Sequence, residues 1–195
     1  MDEVQTVTAF AGTRRIAAGA LAQVAVTVKQ LLDRGEGEAI LVFDDDSGKV
    51  VEVDFRGSTD DVRHRFARLE PPAARGPGRP KLGVVAREVT LLPRHWDWLA
   101  SQPGGASVAL RKLVEEARRA HAGRDRARRA QEAAYCFMSA MAGDLPGFEE
   151  ASRALFAGDT ARLAALTATW PVDIRDHVAT WAAAAFGAAD QAVNA

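Results

Sequence analysis

Cysteine occurs once in the 195 residues, as Cys136. A single thiol excludes an intrachain disulfide framework and a cysteine-built zinc site. Cys136 lies in the apolar helical context AAYCFMSAM, where a core thiol is expected. The four histidines are His64, His95, His121 and His177, and no two stand three or four residues apart. A helical His pair for a metal is therefore absent. Asp176 and His177 are adjacent, which on a helix turns the two side chains apart. The chain has no Gly-x-Ser-x-Gly elbow, no GxxxxGK[ST] loop and no GxGxxG. The expectation is a non-enzyme with no catalytic residues, no metal and no cofactor. No apolar run approaches eighteen residues, and the start MDEVQ has neither a basic nor an apolar leader region. These features predict a cytoplasmic protein without a membrane partner.

What is present is ordinary in amount and unusual in order. Hydrophobic residues make up 48% and charged residues 26%, a normal share for a globular chain. The formal net charge is only -1, but it is divided along the chain. Residues 1–74 carry 9 basic and 13 acidic side chains, 75–129 carry 13 and 5, and 130–195 carry 3 and 8. A basic centre between acidic ends fits an anion-binding segment. A solvated, Arg-rich helix paired to acidic neighbours explains the same count.

The N-terminal part reads as ββαββα over residues 1–69. Val4–Ala11 and Arg14–Ala17 are short strands around Gly12-Thr13. Leu21, Val24, Ala25, Val28, Leu31 and Leu32 repeat as one helical face. Ile40–Phe43 and Val50–Phe55 read as a hairpin around Asp44-Asp45-Asp46-Ser47-Gly48-Lys49. Asp44, Asp46 and Gly48 also resemble the start of a calcium loop. Position twelve of such a loop is Phe55 rather than Glu, so the turn reading is preferred. Thr59-Asp60-Asp61 can cap a short helix with Val62, Phe66 and Leu69 inside.

Residues 70–83 form a basic linker. Glu70–Pro80 holds four prolines and two glycines, which sustain neither a helix nor a central strand. Within it, Pro77-Gly78-Arg79-Pro80-Lys81 resembles an AT-hook core. That resemblance implies an extended Arg79 in a narrow A·T-rich minor groove, with Lys81 beside it.

Residues 84–129 read as a strand, Val84–Leu92, then Pro93 and an aromatic helix with Trp96, Trp98 and Leu99. Gly104-Gly105 follows, and then a second helix from Ser107 with Leu110, Leu113, Val114 and Ala117 on one face. This order resembles the ribbon-helix-helix DNA-binding family. The resemblance implies a dimer whose paired strands enter the major groove. Arg87, Val89 and Leu91 would face the groove; a register shifted by one would expose Glu88 and Thr90. Backbone N–H groups of Gly105, Ala106 and Ser107 would hold a phosphate. Arg111, Lys112, Arg118 and Arg119 would neutralise others, with Arg124, Arg126, Arg128 and Arg129 extending the run. One helix from Ser107 towards Gly143 is compatible with the pattern.

Residues 130–195 read as an α-helical domain. Tyr135, Met138 and Met141 repeat at helical spacing, and helices follow around Leu155, Leu163 and Trp181. The stretches LVFDD, GRPKLGVVAREVTLLPRHWDWL and MSAMAGDLPGFEEASRALFAGD resemble a bacterial protein family of unassigned function over nearly the full length. That resemblance implies that the segments form one unit and carries no activity with it.

The expected protein is thus an α+β, cytoplasmic homodimer that binds DNA as a transcriptional regulator. The alternative is a non-catalytic interaction module. There the central unit only dimerises, and the acidic end domains bind another protein. A small-molecule sensor or enzyme with an unrecognised cleft is the third reading.

Overall fold

The computed structural model describes residues 5–67, 83 and 85–187. It is a mixed α and β structure, mostly helical, with one three-stranded antiparallel sheet. Two compact units are formed, Met1–Pro71 with Gly123–Ala195, and Pro72–Ala122. Among the described residues no helix is long and apolar enough to cross a membrane.

In the larger unit the sheet order is β2-β1-β3, with β1 Thr6–Ala11, β2 Arg14–Ala20 and β3 Ile40–Asp44. The two-residue period sorts its side chains by face. Val7, Ala9 and Val42 pack on Val24 and Val28 of α1, Leu21–Asp33. Phe10 and Phe43 join the main core with Phe137, Met138, Leu155, Ile174, Val178 and Trp181. Those partners come from α4 (Gly105–Met141), α5 (Phe148–Ala157) and α7 (Val172–Phe186). N-terminal and C-terminal residues therefore share one hydrophobic core. The expected division into residues 1–69 and 130–195 separates them, and its boundary at 129/130 falls inside α4.

A fourth strand is expected at residues 50–55. Residues 50–55 do not form one. Val50 makes only an isolated bridge to Phe43, and the Val51 N–H donates to the Val42 carbonyl at 2.7 Å. Beyond this, the Asp54 carboxylate accepts from the Arg56 backbone N–H and guanidinium, a local pairing that competes with a ladder. Val51, Val53 and Phe55 still pack against the apolar clusters. The order is ββαβα, not ββαββα. The final helix, α2 (Thr59–Ala67), is capped by Ser58. Ser58 Oγ accepts from the Asp61 N–H, and the Asp61 carboxylate accepts from the Ser58 N–H at 2.8 Å, a reciprocal capping box.

The Asp-rich segment is a turn. Asp44 Oδ1 accepts from the Ser47 N–H at 2.8 Å and from its hydroxyl, and Asp45 Oδ1 accepts from the Thr8 hydroxyl at 2.7 Å. Burial alone would raise the Asp44 pKa, but hydrogen bonds from Ser47 and Gln5 outweigh it and lower it.

The smaller unit contains α3, Pro93–Ser101, and the first part of α4. Pro93 sits at the start of α3, where its missing N–H costs no helical bond. Gly104 and Gly105 have φ of 86° and 73°, which separates α3 from α4. In the larger unit α5 ends at Gly158, and α6, Thr160–Thr167, begins at Asp159, whose side chain accepts from the Arg162 N–H.

Candidate nucleic-acid interface

Residues 85–92 lead into α3 without belonging to any strand, and all but Leu91 are exposed. Leu92 is extended, with φ -67° and ψ 149°. A run outside a sheet leaves backbone donors and acceptors for water or for a partner. Arg87 lies in this run and is exposed.

The smaller unit buries little of its own apolar surface. Among its described residues only Leu99 and Ala109 are buried apolar side chains. Val85, Val89, Leu92, Trp96, Trp98, Leu113 and Val114 are exposed, Val114 at 63% and Trp98 at 51%. A segment of this size seldom holds a core alone. Helical spacing correctly groups Leu113 and Val114 on an apolar face, but it does not predict that this face is uncovered. These exposed residues are the ones that reading for charge misses. The available signal is the ratio of apolar positions to chain length in a segment set off by glycine and proline.

The charged set lies on α4. Ser107, Arg111, Lys112, Arg118 and Arg119 are all exposed. The helix brings Arg111, Lys112 and Arg119 to the edge of a shallow depression of about 350 Å3, shared with Glu115 and Glu116. Glu115 holds two of the arginines. Its carboxylate accepts from Arg118 Nη2 at 3.1 Å and from Arg119 Nε at 3.1 Å. The Arg118 hydrogen bond is the main reason the Glu115 pKa lies below its usual value, and Arg118 is raised in return. Arg87, Arg111 and Lys112 have no ion pair among the described residues.

The expected phosphate clamp is altered at one position. The Gly105 N–H donates to the Gln102 carbonyl at 2.9 Å, so the turn itself uses that donor. The N–H groups of Ala106 and Ser107 have no backbone partner among the described residues, as a helix start leaves them. Arg79 and Lys81, with the whole AT-hook-like segment, lie outside the described residues. Among the described residues no group of three His, Cys, Asp or Glu side chains converges for a metal.

Residues 6–182 match the family model described as an uncharacterized protein conserved in bacteria (DUF2239). The chain belongs to this family. No curated protein and no solved structure matches it.

Proposed function

We propose that this DUF2239 family member is a cytoplasmic, dimeric DNA-binding protein that regulates transcription through a ribbon-helix-helix unit. One observation carries the reading. A run outside any strand, extended at Leu92, precedes two helices joined at Gly104-Gly105, and Trp96, Trp98, Leu113 and Val114 on those helices are exposed. A second copy would supply the missing strand and cover Val85, Val89, Leu113 and Val114. Pairing two such runs would make a ribbon of the width the major groove admits. Arg87 would then contact bases. Ser107, Arg111 and Lys112 would anchor phosphates, with Arg79 and Lys81 in the minor groove.

One observation favours a second reading, the interaction module in which the unit only dimerises. Glu115 already satisfies Arg118 and Arg119, which lowers their worth to phosphate. The deciding experiment is fluorescence anisotropy on A·T-rich and G·C-rich duplexes across a salt series. DNA binding predicts affinity that falls steeply with salt. Arg79→Ala should weaken mainly the A·T-rich duplex. Absence of binding to both duplexes at low salt would leave dimerisation as the unit's role.

A further inference from the structure

The larger unit contains a trough between α6 and α7 that the DNA reading does not use. Its volume is about 420 Å3. Buried Leu163, Val178 and Ala182 contribute to its lining, together with the exposed alanines 164, 179 and 183. A longer side chain at any of these alanines would fill space that is now open. Phe186 lies at one end of α7 and Arg175 near the other. At 1.5 Å per helical residue the two are about 16 Å apart along α7.

The charge in this trough is selective. Residues 130–195 carry 8 acidic and only 3 basic side chains. One of those three, Arg175, is the only charged residue lining the trough among the described residues. Its Nε and Nη2 both engage Asp176 Oδ1, each at 3.0 Å. Its Nη1 has no partner among the described residues. The Thr167 hydroxyl, also in the lining, already donates to the Leu163 carbonyl at 3.0 Å and offers no competing donor.

The geometry points to a binding site for a straight-chain monocarboxylate of medium length, its alkyl chain along α7 and its carboxylate on Arg175. A saturated chain advances roughly 1.2 Å per bond, as the extended peptide backbone does, so a ten-carbon chain spans about 11 Å and fits within that length. Burying each methylene favours the bound chain, and a guanidinium adds a charge-assisted hydrogen bond.

Isothermal titration calorimetry of the full chain with decanoate, below its micellar concentration, tests this. The expected result is saturable binding of one decanoate per chain. Ala179→Leu and Ala183→Leu change exposed helical positions and should weaken it about tenfold or more. Arg175→Gln should weaken decanoate by about tenfold and leave decanol unchanged. No saturable heat, or binding indifferent to both leucine substitutions, would overturn the site. Equal affinity for decanoate and decanol in the unaltered chain would overturn the carboxylate assignment.

Discussion

Trp181 Nε1 donates to the main-chain carbonyl of Asp45 at 2.8 Å, across 136 residues of sequence. The bond ties the C-terminal helix α7 to the turn after β3. Around it, Phe10 and Phe43 from the sheet meet Phe137 from α4, with ring centroids 5.2 and 4.8 Å away. Removing the indole N–H leaves a part-buried carbonyl unpaired and shortens the ring. Trp181→Phe should cost about 2 kcal/mol in chemical denaturation. A loss near zero would show that water replaces the bond.

His177 lies one helical turn before Trp181, with the two ring centroids 4.4 Å apart. Phe10 and Phe137 close the same box at 5.3 and 4.7 Å. His177 is 7% exposed, and its Nε2 has no hydrogen-bond partner among the described residues. Burial lowers its pKa below the ordinary value; the Asp45 charge opposes the shift, and Arg15 adds to it. The native state thus keeps the ring neutral where the unfolded chain protonates it. The unfolded state then binds more protons, so stability falls as pH drops from the unfolded pKa towards the lowered folded one. Thermal melts should show a Tm that decreases from pH 7.5 to 5.5. His177→Phe should flatten that slope. An unchanged slope in the variant would assign the effect elsewhere.

Gly48 occupies the turn of the Asp-rich segment at φ 65° and is buried. A Cβ there would collide with the Ala133 carbonyl of α4. Two penalties follow, left-handed backbone and overlap with main chain that cannot rotate away. Gly48→Ala should lose about 3 kcal/mol or more by denaturant titration. Gly35 gives the contrast, at φ 88° with open space around it. Gly35→Ala should lose only the backbone part, about 1–2 kcal/mol.

Much of the local structure was legible because its signals are local. The helical repeat of Val24, Ala25 and Val28 marks the buried face of α1. Pro93 and Gly104-Gly105 mark the ends of α3 and the start of α4. The shared core was not legible, since nothing near Asp45 announces Trp181. Alternation at Val51, Val53 and Phe55 reports their partial burial but says nothing of a hydrogen-bonded neighbour, hence the missing fourth strand. At the candidate interface, the i+3 and i+4 spacing of Arg118 and Arg119 from Glu115 foretells their pairing. The exposure of Val114 depends on what covers α4, which no periodicity encodes.

The exposed face of the smaller unit gives a test that does not involve DNA. Val114→Glu puts a charge at a position already 63% exposed in the single chain. It should leave the monomer's fold intact. In a dimer that covers this face it would bury an unpaired carboxylate, at a cost of several kcal/mol. Analytical ultracentrifugation should show the unaltered chain as a dimer and Val114→Glu as a monomer. Matching mass for both would place the second copy elsewhere or nowhere.

The arginines themselves separate the two readings of function. A side chain that neutralises a phosphate contributes roughly 0.9 to the slope of log affinity against log salt. Arg111 and Lys112 have no ion pair among the described residues, so Arg111→Ala and Lys112→Ala should each lower that slope by about one. Arg118 and Arg119 are held by Glu115, and a phosphate must displace that carboxylate to use them. Their alanine variants should therefore change the slope less. Glu115→Gln removes the competing charge and a source of repulsion towards the DNA backbone, so it should tighten binding and steepen the slope. The same substitution in a pure dimerisation module would change neither, because no phosphate waits for the released guanidinium groups. Anisotropy of this one variant, at two salt concentrations, distinguishes an arginine pair reserved for DNA from one that solvates a helix.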